Sequence, residues 1–231
     1  MDEPTNDGLD GRSDDSNRDG ASHSSKRDGG SHEPNRDGGA SGVSERDGFA
    51  APARAVVPFE GIERHTFQHL QEHPLSLDYG SRAASVESLN QLLADAMTLG
   101  DMYKKYHWQT SGPTFYTLHL LFDRHAAELV QMVDEIAERI QTLGGVCVAM
   151  AADVVEMTII PRVPRGREDV ATQIARLLHA HEVILQESRR MLREARHGGD
   201  EGTADMIVSE VIRLGERQVW FLFQHAVPED K

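Results

Sequence analysis

The sequence predicts an all-α protein: a four-helix bundle whose long crossover contains a short helix, preceded by a disordered N-terminal tail. Three observations carry that expectation. Apolar residues recur at intervals of three and four along four stretches of roughly 24 to 32 residues, the spacing that lines one face of an α-helix. No stretch alternates polar and apolar residues with a period of two over useful length, so no strand is expected. Hydrophobic residues make up about 21 per cent of residues 1–57 and about 45 per cent from Pro58 onward, so the packed body begins there.

Residues 1–57 contain a degenerate repeat, Arg18-Asp19-Gly20, Arg27-Asp28-Gly29, Arg36-Asp37-Gly38 and Arg46-Asp47-Gly48, separated largely by Ser, Gly and Asn. Such a segment buries too little apolar surface to offset the entropy of ordering it, which predicts a disordered low-complexity tail. Residues 58–80 form an N-terminal extension. Residues 81–227 form the folded domain, long enough for one sizeable core.

The first helix is expected over about Arg82–Gln109, with Val86, Leu89, Leu93, Ala96, Gly100 and Tyr103 facing inward. The second starts after Ser111-Gly112, with Pro113 suited to a first turn, and stops at Gly144-Gly145. Its stripe is Phe115, Leu118, Phe122, Leu129, Val133, Ile136, Ile140 and Leu143. The next connection, containing Pro161 and Pro164, is too long for a hairpin and is expected to hold a short helix near Ala151–Met157. The third helix spans about Glu168–Arg196, with Val170, Ile174, Leu177, His181, Ile184 and Leu192 inward, and ends at Gly198-Gly199. The fourth spans about Thr203–Ala226. Four such helices and one long connection make a bundle with a crossover.

Composition excludes several functions. The formal net charge of −14 divides into about −5 for the tail and about −9 for the body, a poor basis for binding nucleic acid or anionic membrane. No apolar run approaches the roughly 20 residues that span a bilayer. The opening residues, MDEPTNDGLDGRSDD, lack the basic start and apolar run of a secretory signal, so a cytoplasmic location is expected. Cys147 is the only cysteine, which excludes an internal disulfide and every paired-cysteine metal motif. There is no Gly-rich phosphate loop followed by Lys and no GxSxG elbow. His181-Glu182 begins like HExxH, but Leu185 stands where the second histidine belongs.

Imidazoles and carboxylates on the first two helices remain. Continuing the first stripe past Tyr103 places His107 inward. On the second helix, with Phe122 at zero, His119 falls at about 60°, Asp123 at about 100°, Asp134 at about 120° and Glu138 at about 160°. All four occupy one flank. His119/Asp123 and Asp134/Glu138 are each i,i+4 pairs able to converge on one ion, but their centres lie about 22 Å apart along the axis. Two copies crossing antiparallel near Glu128–Leu129 would bring each pair against the other copy's second pair, an isologous contact. Ala126, Ala127 and Val130 on that flank are small enough to allow it. Imidazole and carboxylate without thiolate favour iron(II) or manganese over a structural zinc site. On pattern alone, the flank reads equally well as polar surface. Trp108, beside His107, is a candidate to pack against the site, or serves the core or an interface.

At these residues the sequence resembles the Dps family, mini-ferritins within the ferritin-like bundles. The carrying segments are Lys104-Lys105-Tyr106-His107-Trp108, Gly112 with Phe115, Leu118-His119, Phe122-Asp123, Asp134-Glu135-Ile136-Ala137-Glu138-Arg139 and Leu143-Gly144-Gly145. Thr203-Ala204-Asp205-Met206 and Trp220 also resemble the family's last helix. The resemblance implies a dodecameric hollow shell with ferroxidase sites at two-fold interfaces, oxidising iron(II), usually with hydrogen peroxide, and storing a ferric mineral against oxidative damage. The implied ligands are His107, His119 and Asp123 of one subunit with Asp134 and Glu138 of its mate, with iron as cargo and zinc or manganese as other occupants. It also implies acidic pores that admit iron, where Asp205 matches best, with Asp200 and Glu201 as further candidates. Some relatives carry an extra N-terminal metal site, for which His65, His69 and His73 would qualify on a short helix. An irregular segment with incidental histidines fits the same spacing.

Larger ferritins are the rival, but their bundles carry Glu-x-x-His pairs on two helices, and here Glu194/His197 stands alone within residues 58–231. Two alternative functions remain open: a non-catalytic shell that protects DNA by co-assembly, with nucleoid association, and a helical oligomer with structural metals. The acidic tail departs from the Lys-rich tails of many DNA-binding members and argues against direct DNA contact.

Overall fold

A computed structural model describes residues 64–227. The Arg-Asp-Gly tail and the first part of the N-terminal extension lie outside the described residues. Six α-helices and one π-helical interval follow in order, and no strand occurs among the described residues. They are α1 (Tyr79–Gln109), α2 (Phe115–Thr142), α3 (Ala151–Met157), α4 (Val170–His197), α5 (Glu201–Met206) and α6 (Arg213–Gln224). The π-helical turns Ile207–Ile212 join α5 to α6, so the expected fourth helix is continuous but locally widened. No described helix is long and apolar enough to cross a membrane.

Capping sets three of the starts. The side chains of Asp78, Asp169 and Asp200 accept from the backbone N–H groups of Ser81, Thr172 and Thr203, satisfying donors that a first turn leaves orphaned. At the end of α2, Gly144 takes φ +87°, and a Cβ there would sit 2.4 Å from the carbonyl oxygen of Gln71. The glycine stop thus serves a close backbone approach as well as a turn. The buried Arg82 fastens the same corner, donating to the carbonyls of Gln71 and Leu143.

Cross-helix pairs define the topology. Tyr106 meets Glu168, Tyr103 meets His181 and Ser85 meets Asp200, so α1 and α4 run antiparallel. Arg139 meets Thr203 and Glu128 meets Gln218, so α2 runs antiparallel to the α5–α6 unit. The crossover therefore traverses the length of the bundle. Asn90 fastens it to α1 by donating to the carbonyl of Val146 and accepting from the N–H of Val148. Asp95 does the same further on, accepting from Thr158 and from the N–H of Ile159.

The core comes from the expected stripes. Leu89, Leu93, Phe122, Leu129, Ile136, Ile140, Leu177 and Ile184 are all buried, each contributing about 1.5–3 kcal/mol. Phe115 is a correction: expected inward, it is 43% exposed and leans on His119 at the mouth of the bundle.

Candidate metal centre

α1 and α2 meet near the C-terminus of α1, where the chain turns back through Thr110–Thr114. That tight return places His107, in the last turn of α1, beside His119, in the second turn of α2. The Nδ1 of His107 lies 2.8 Å from the carbonyl oxygen of His119, and the Nδ1 of His119 lies 2.8 Å from the carbonyl oxygen of His107. A carbonyl only accepts, so both Nδ1 atoms carry a hydrogen, and Nε2 is the nitrogen through which each ring, when neutral, can donate a lone pair. This is how metal-binding imidazoles are commonly held, with the second nitrogen anchored and the first left as donor.

Asp123 lies one turn beyond His119, with its carboxylate 3.9 Å from the Nε2 of His107. Lys104, one turn before Trp108 on α1, donates to that carboxylate at 2.7 Å. This hydrogen bond, more than any other influence, holds the Asp123 carboxyl below the usual carboxylate range; slight burial opposes it, while the charges of Lys104, His107 and His119 reinforce it. His107, His119 and Asp123 are therefore brought together in one protomer. Asp134 and Glu138 lie three to four turns further along α2, exposed and without side-chain partners among the described residues. Within one protomer, no group of three or more His, Cys, Asp or Glu among the described residues is arranged to hold a metal ion.

A cleft of about 1100 Å³ adjoins Lys104 and Asp123, walled by Ala126, Ala127, Val130 and Val133 of α2 and by Val155 of α3. Val130 is 71% and Val155 74% exposed. Ala127 and Val130 are exposed while Ala126 is buried beside them, so the outer part of the small-residue flank is apolar, open and continuous with the ligand pair. Trp108 is exposed rather than packed over the imidazoles, and its ring lies beneath the Lys104 ammonium at 5.7 Å.

The remaining candidates separate clearly. Asp200 is buried, and its carboxylate accepts from Ser85, Thr203 and Arg139. Burial raises its pKa, but those hydrogen bonds and the Arg139 charge more than offset this and leave the carboxyl below the usual range. Asp200 is a helix cap with its oxygens engaged, unlike a pore-lining carboxylate; Glu201 and Asp205 are exposed. His65, His69 and His73 lie on irregular chain, not on a helix, and Gln68 between them takes φ 72°. His65 turns to the carbonyl of His69, and His73 to the carbonyl of Thr142 on α2, so the shared face required for a three-histidine site does not form.

Sequence reasoning did not assign the role of Lys104 at Asp123, nor did it single out His125. On the α2 wheel His125 falls at about −60°, the far edge of the stripe, a position that reads simply as core. It is buried there beside Tyr103 and His181.

The ferritin-like domain family matches residues 86–227. DpsC from Streptomyces coelicolor is 44% identical, with a TM-score of 0.72 over 74% of this chain and 99% of that chain. The Dps protein of Vibrio cholerae O1, described as a member of a broad superfamily of ferritin-like diiron-carboxylate proteins, is 27% identical, with a TM-score of 0.64 over 69% of this chain and 99% of that one. DNA protection during starvation protein 2 of Bacillus anthracis is 31% identical over 137 residues, 59% of this chain and 92% of the relative.

Proposed function

Because the chain belongs to the Dps family of ferritin-like proteins, we propose that it binds iron(II) as a substrate at sites shared by two protomers, oxidises it with hydrogen peroxide and stores the ferric product inside a dodecameric shell. The reciprocal Nδ1–carbonyl lock of His107 and His119 carries this reading, because it presets two imidazole donors before any metal arrives. Asp123 adds a carboxylate from the same protomer. Asp134 and Glu138 of the partner subunit complete the set when two α2 helices cross at the Ala126/Ala127/Val130 flank. The open apolar cleft beside Asp123 supports that crossing.

The chemistry follows from the donors. Carboxylates stabilise the charge gained when iron(II) becomes iron(III), which favours oxidation at this place over oxidation in bulk water. Two iron(II) ions give one electron each to one peroxide, whose O–O bond breaks to yield water after uptake of two protons. No odd electron is left to form a hydroxyl radical. Protection of DNA, the property in the name of the Bacillus anthracis relative, then arises by removing iron(II) and peroxide together. Protection by direct contact is the second reading; the charge of −14 per chain opposes it at neutral pH.

Anaerobic iron(II) mixed with peroxide and followed by ferric absorbance tests the proposal. Rapid, saturable oxidation is expected for the parent assembly and a large loss for His119→Ala and Glu138→Ala. Oxidation at the parental rate in both assembled variants would remove these residues from the site.

A further inference from the structure

Tyr103 sits on α1 one turn before His107 and is fully buried. Its hydroxyl lies 2.7 Å from Nε2 of His181 on α4 and 3.1 Å from Nδ1 of His125 on α2. A phenol has one hydrogen, so it donates to one imidazole and accepts from the other. The shorter contact makes His181 the acceptor, and His125 then donates its Nδ1 hydrogen to the phenolic oxygen. Iron binding as derived above makes no use of this three-helix relay. Polar rings in an apolar core are tolerated when they hydrogen-bond one another, as these three do. Their position is informative: Tyr103 packs on Phe122 with centroids 6.1 Å apart, and Phe122 lies one turn beyond His119 on α2.

We propose that Tyr103 is a redox-active relay residue that supplies one electron to the oxidation site while its phenolic proton passes to Nε2 of His181. The proposal rests on the ferroxidase reading and addresses a case that reading leaves open, the site holding one iron(II) ion instead of two. Peroxide then needs a second electron. One iron(II), one peroxide, the Tyr103 phenol and neutral His181 give one iron(III), a neutral tyrosyl radical, a His181 imidazolium and two hydroxides. The O–O bond and the phenolic O–H bond break, and peroxide is reduced without releasing a hydroxyl radical. The next iron(II) returns an electron to the phenoxyl oxygen, which recovers its proton from His181.

The surroundings favour coupled transfer of electron and proton. Burial, with the charge of Glu128 second, pushes the Tyr103 phenol well above its ordinary range, so it does not ionise by itself near neutral pH. Once oxidised, a phenol becomes a strong acid and must pass its proton to a bonded base. Burial lowers His181 to about 3, so the ring is neutral and its lone pair faces the hydroxyl. The hydrogen bond from His125 remains to stabilise the phenoxyl oxygen.

The test uses the full-length assembly, loaded anaerobically with a single iron(II) per site, mixed with hydrogen peroxide and freeze-quenched for electron paramagnetic resonance. A neutral tyrosyl signal is expected, narrowed by ring-deuterated tyrosine and absent in Tyr103→Phe. It should persist in the variant combining Tyr79→Phe, Tyr106→Phe and Tyr116→Phe, where Tyr103 is the only tyrosine left among the protein's 4. In His181→Gln, which keeps an acceptor oxygen but takes up no proton, the signal should form on the order of a hundredfold more slowly. Iron oxidation without a tyrosyl signal, or a signal unchanged by Tyr103→Phe, overturns the relay alone. Absence of peroxide-dependent iron oxidation in the parent overturns the ferroxidase reading and the relay with it.

Discussion

The imidazoles of His107 and His119 are stacked, with centroids 3.8 Å apart and planes tilted by 20°. With the reciprocal bonds to each other's carbonyls, the stack makes the two rings one mechanical unit bridging the end of α1 and the start of α2. Removing either ring leaves the other its carbonyl anchor but takes away its stacking partner and one of two imidazole donors to the same ion. His107→Ala and His119→Ala are each expected to lower iron(II) affinity by about 10- to 100-fold. The double variant should be little worse than either single one, since the rings act as a unit. Calorimetric titration with iron(II) under anaerobic conditions reads this directly, and additive losses would contradict the coupling.

Lys104 competes with any cation for Asp123. Its ammonium must leave the carboxylate at 2.7 Å before a metal takes that oxygen. Because the pair is exposed and correspondingly weak, Lys104→Gln should tighten iron(II) binding by only about two- to fivefold. The same substitution should reduce the dependence of binding on salt concentration. Weaker binding in Lys104→Gln would mean that the lysine supports the site.

Asp200 and Asp205 should part company. Asp200 is buried against Arg139 and caps α5, so Asp200→Ala is expected to cost about 3–5 kcal/mol of folding stability, measured by denaturant unfolding. Asp205 is exposed, and Asp205→Ala should stay within about 0.5 kcal/mol of the parent. Slower ferric loading of the Asp205→Ala shell at unchanged stability would support its place on an iron route; unchanged loading would remove it.

Acid should weaken the fold through its buried imidazoles. Burial lowers His125 to about 4 and His181 to about 3, against about 6.5 for a solvated ring. Below about pH 6.5 the unfolded chain takes up protons that the folded chain refuses, so stability falls with pH until the folded-state values are reached. Between about pH 7 and about pH 5 the pair should cost about 4 kcal/mol. A variant combining His125→Gln and His181→Gln should lose correspondingly less over that range in parallel unfolding curves. Equal losses would place the acid sensitivity elsewhere.

Much of this architecture is legible locally. The short helix Ala151–Met157 falls at the expected residues, and the α2 stripe reads correctly from Leu118 to Leu143. Cap residues extend or trim the remaining boundaries: α1 starts at Tyr79 because Asp78 caps it, and α4 starts at Val170 behind Asp169. His107, His119 and Asp123 were legible because a helical wheel and an extended stripe suffice to place them. The Lys104–Asp123 pair was not, since it depends on the axial register between two helices. The π-helical turns Ile207–Ile212 were invisible for a similar reason. They re-aim the last helix so that Gly215 packs on Leu185 and Gln218 enters the core, choices made by packing and not by local periodicity.

The central claim is that each oxidation site takes ligands from two protomers, and subunit complementation tests it most directly. His119→Ala and Glu138→Ala assemblies should each oxidise iron(II) poorly. In a mixed dimer one site carries both defects and the other carries neither. Dissociating the two assemblies and reassembling them in equal amounts should therefore restore about a quarter of the parental oxidation rate, from random pairing across an isologous interface. No recovery above either single variant, with mixed assemblies demonstrated by native mass spectrometry, would place the ligands within one chain and contradict the account.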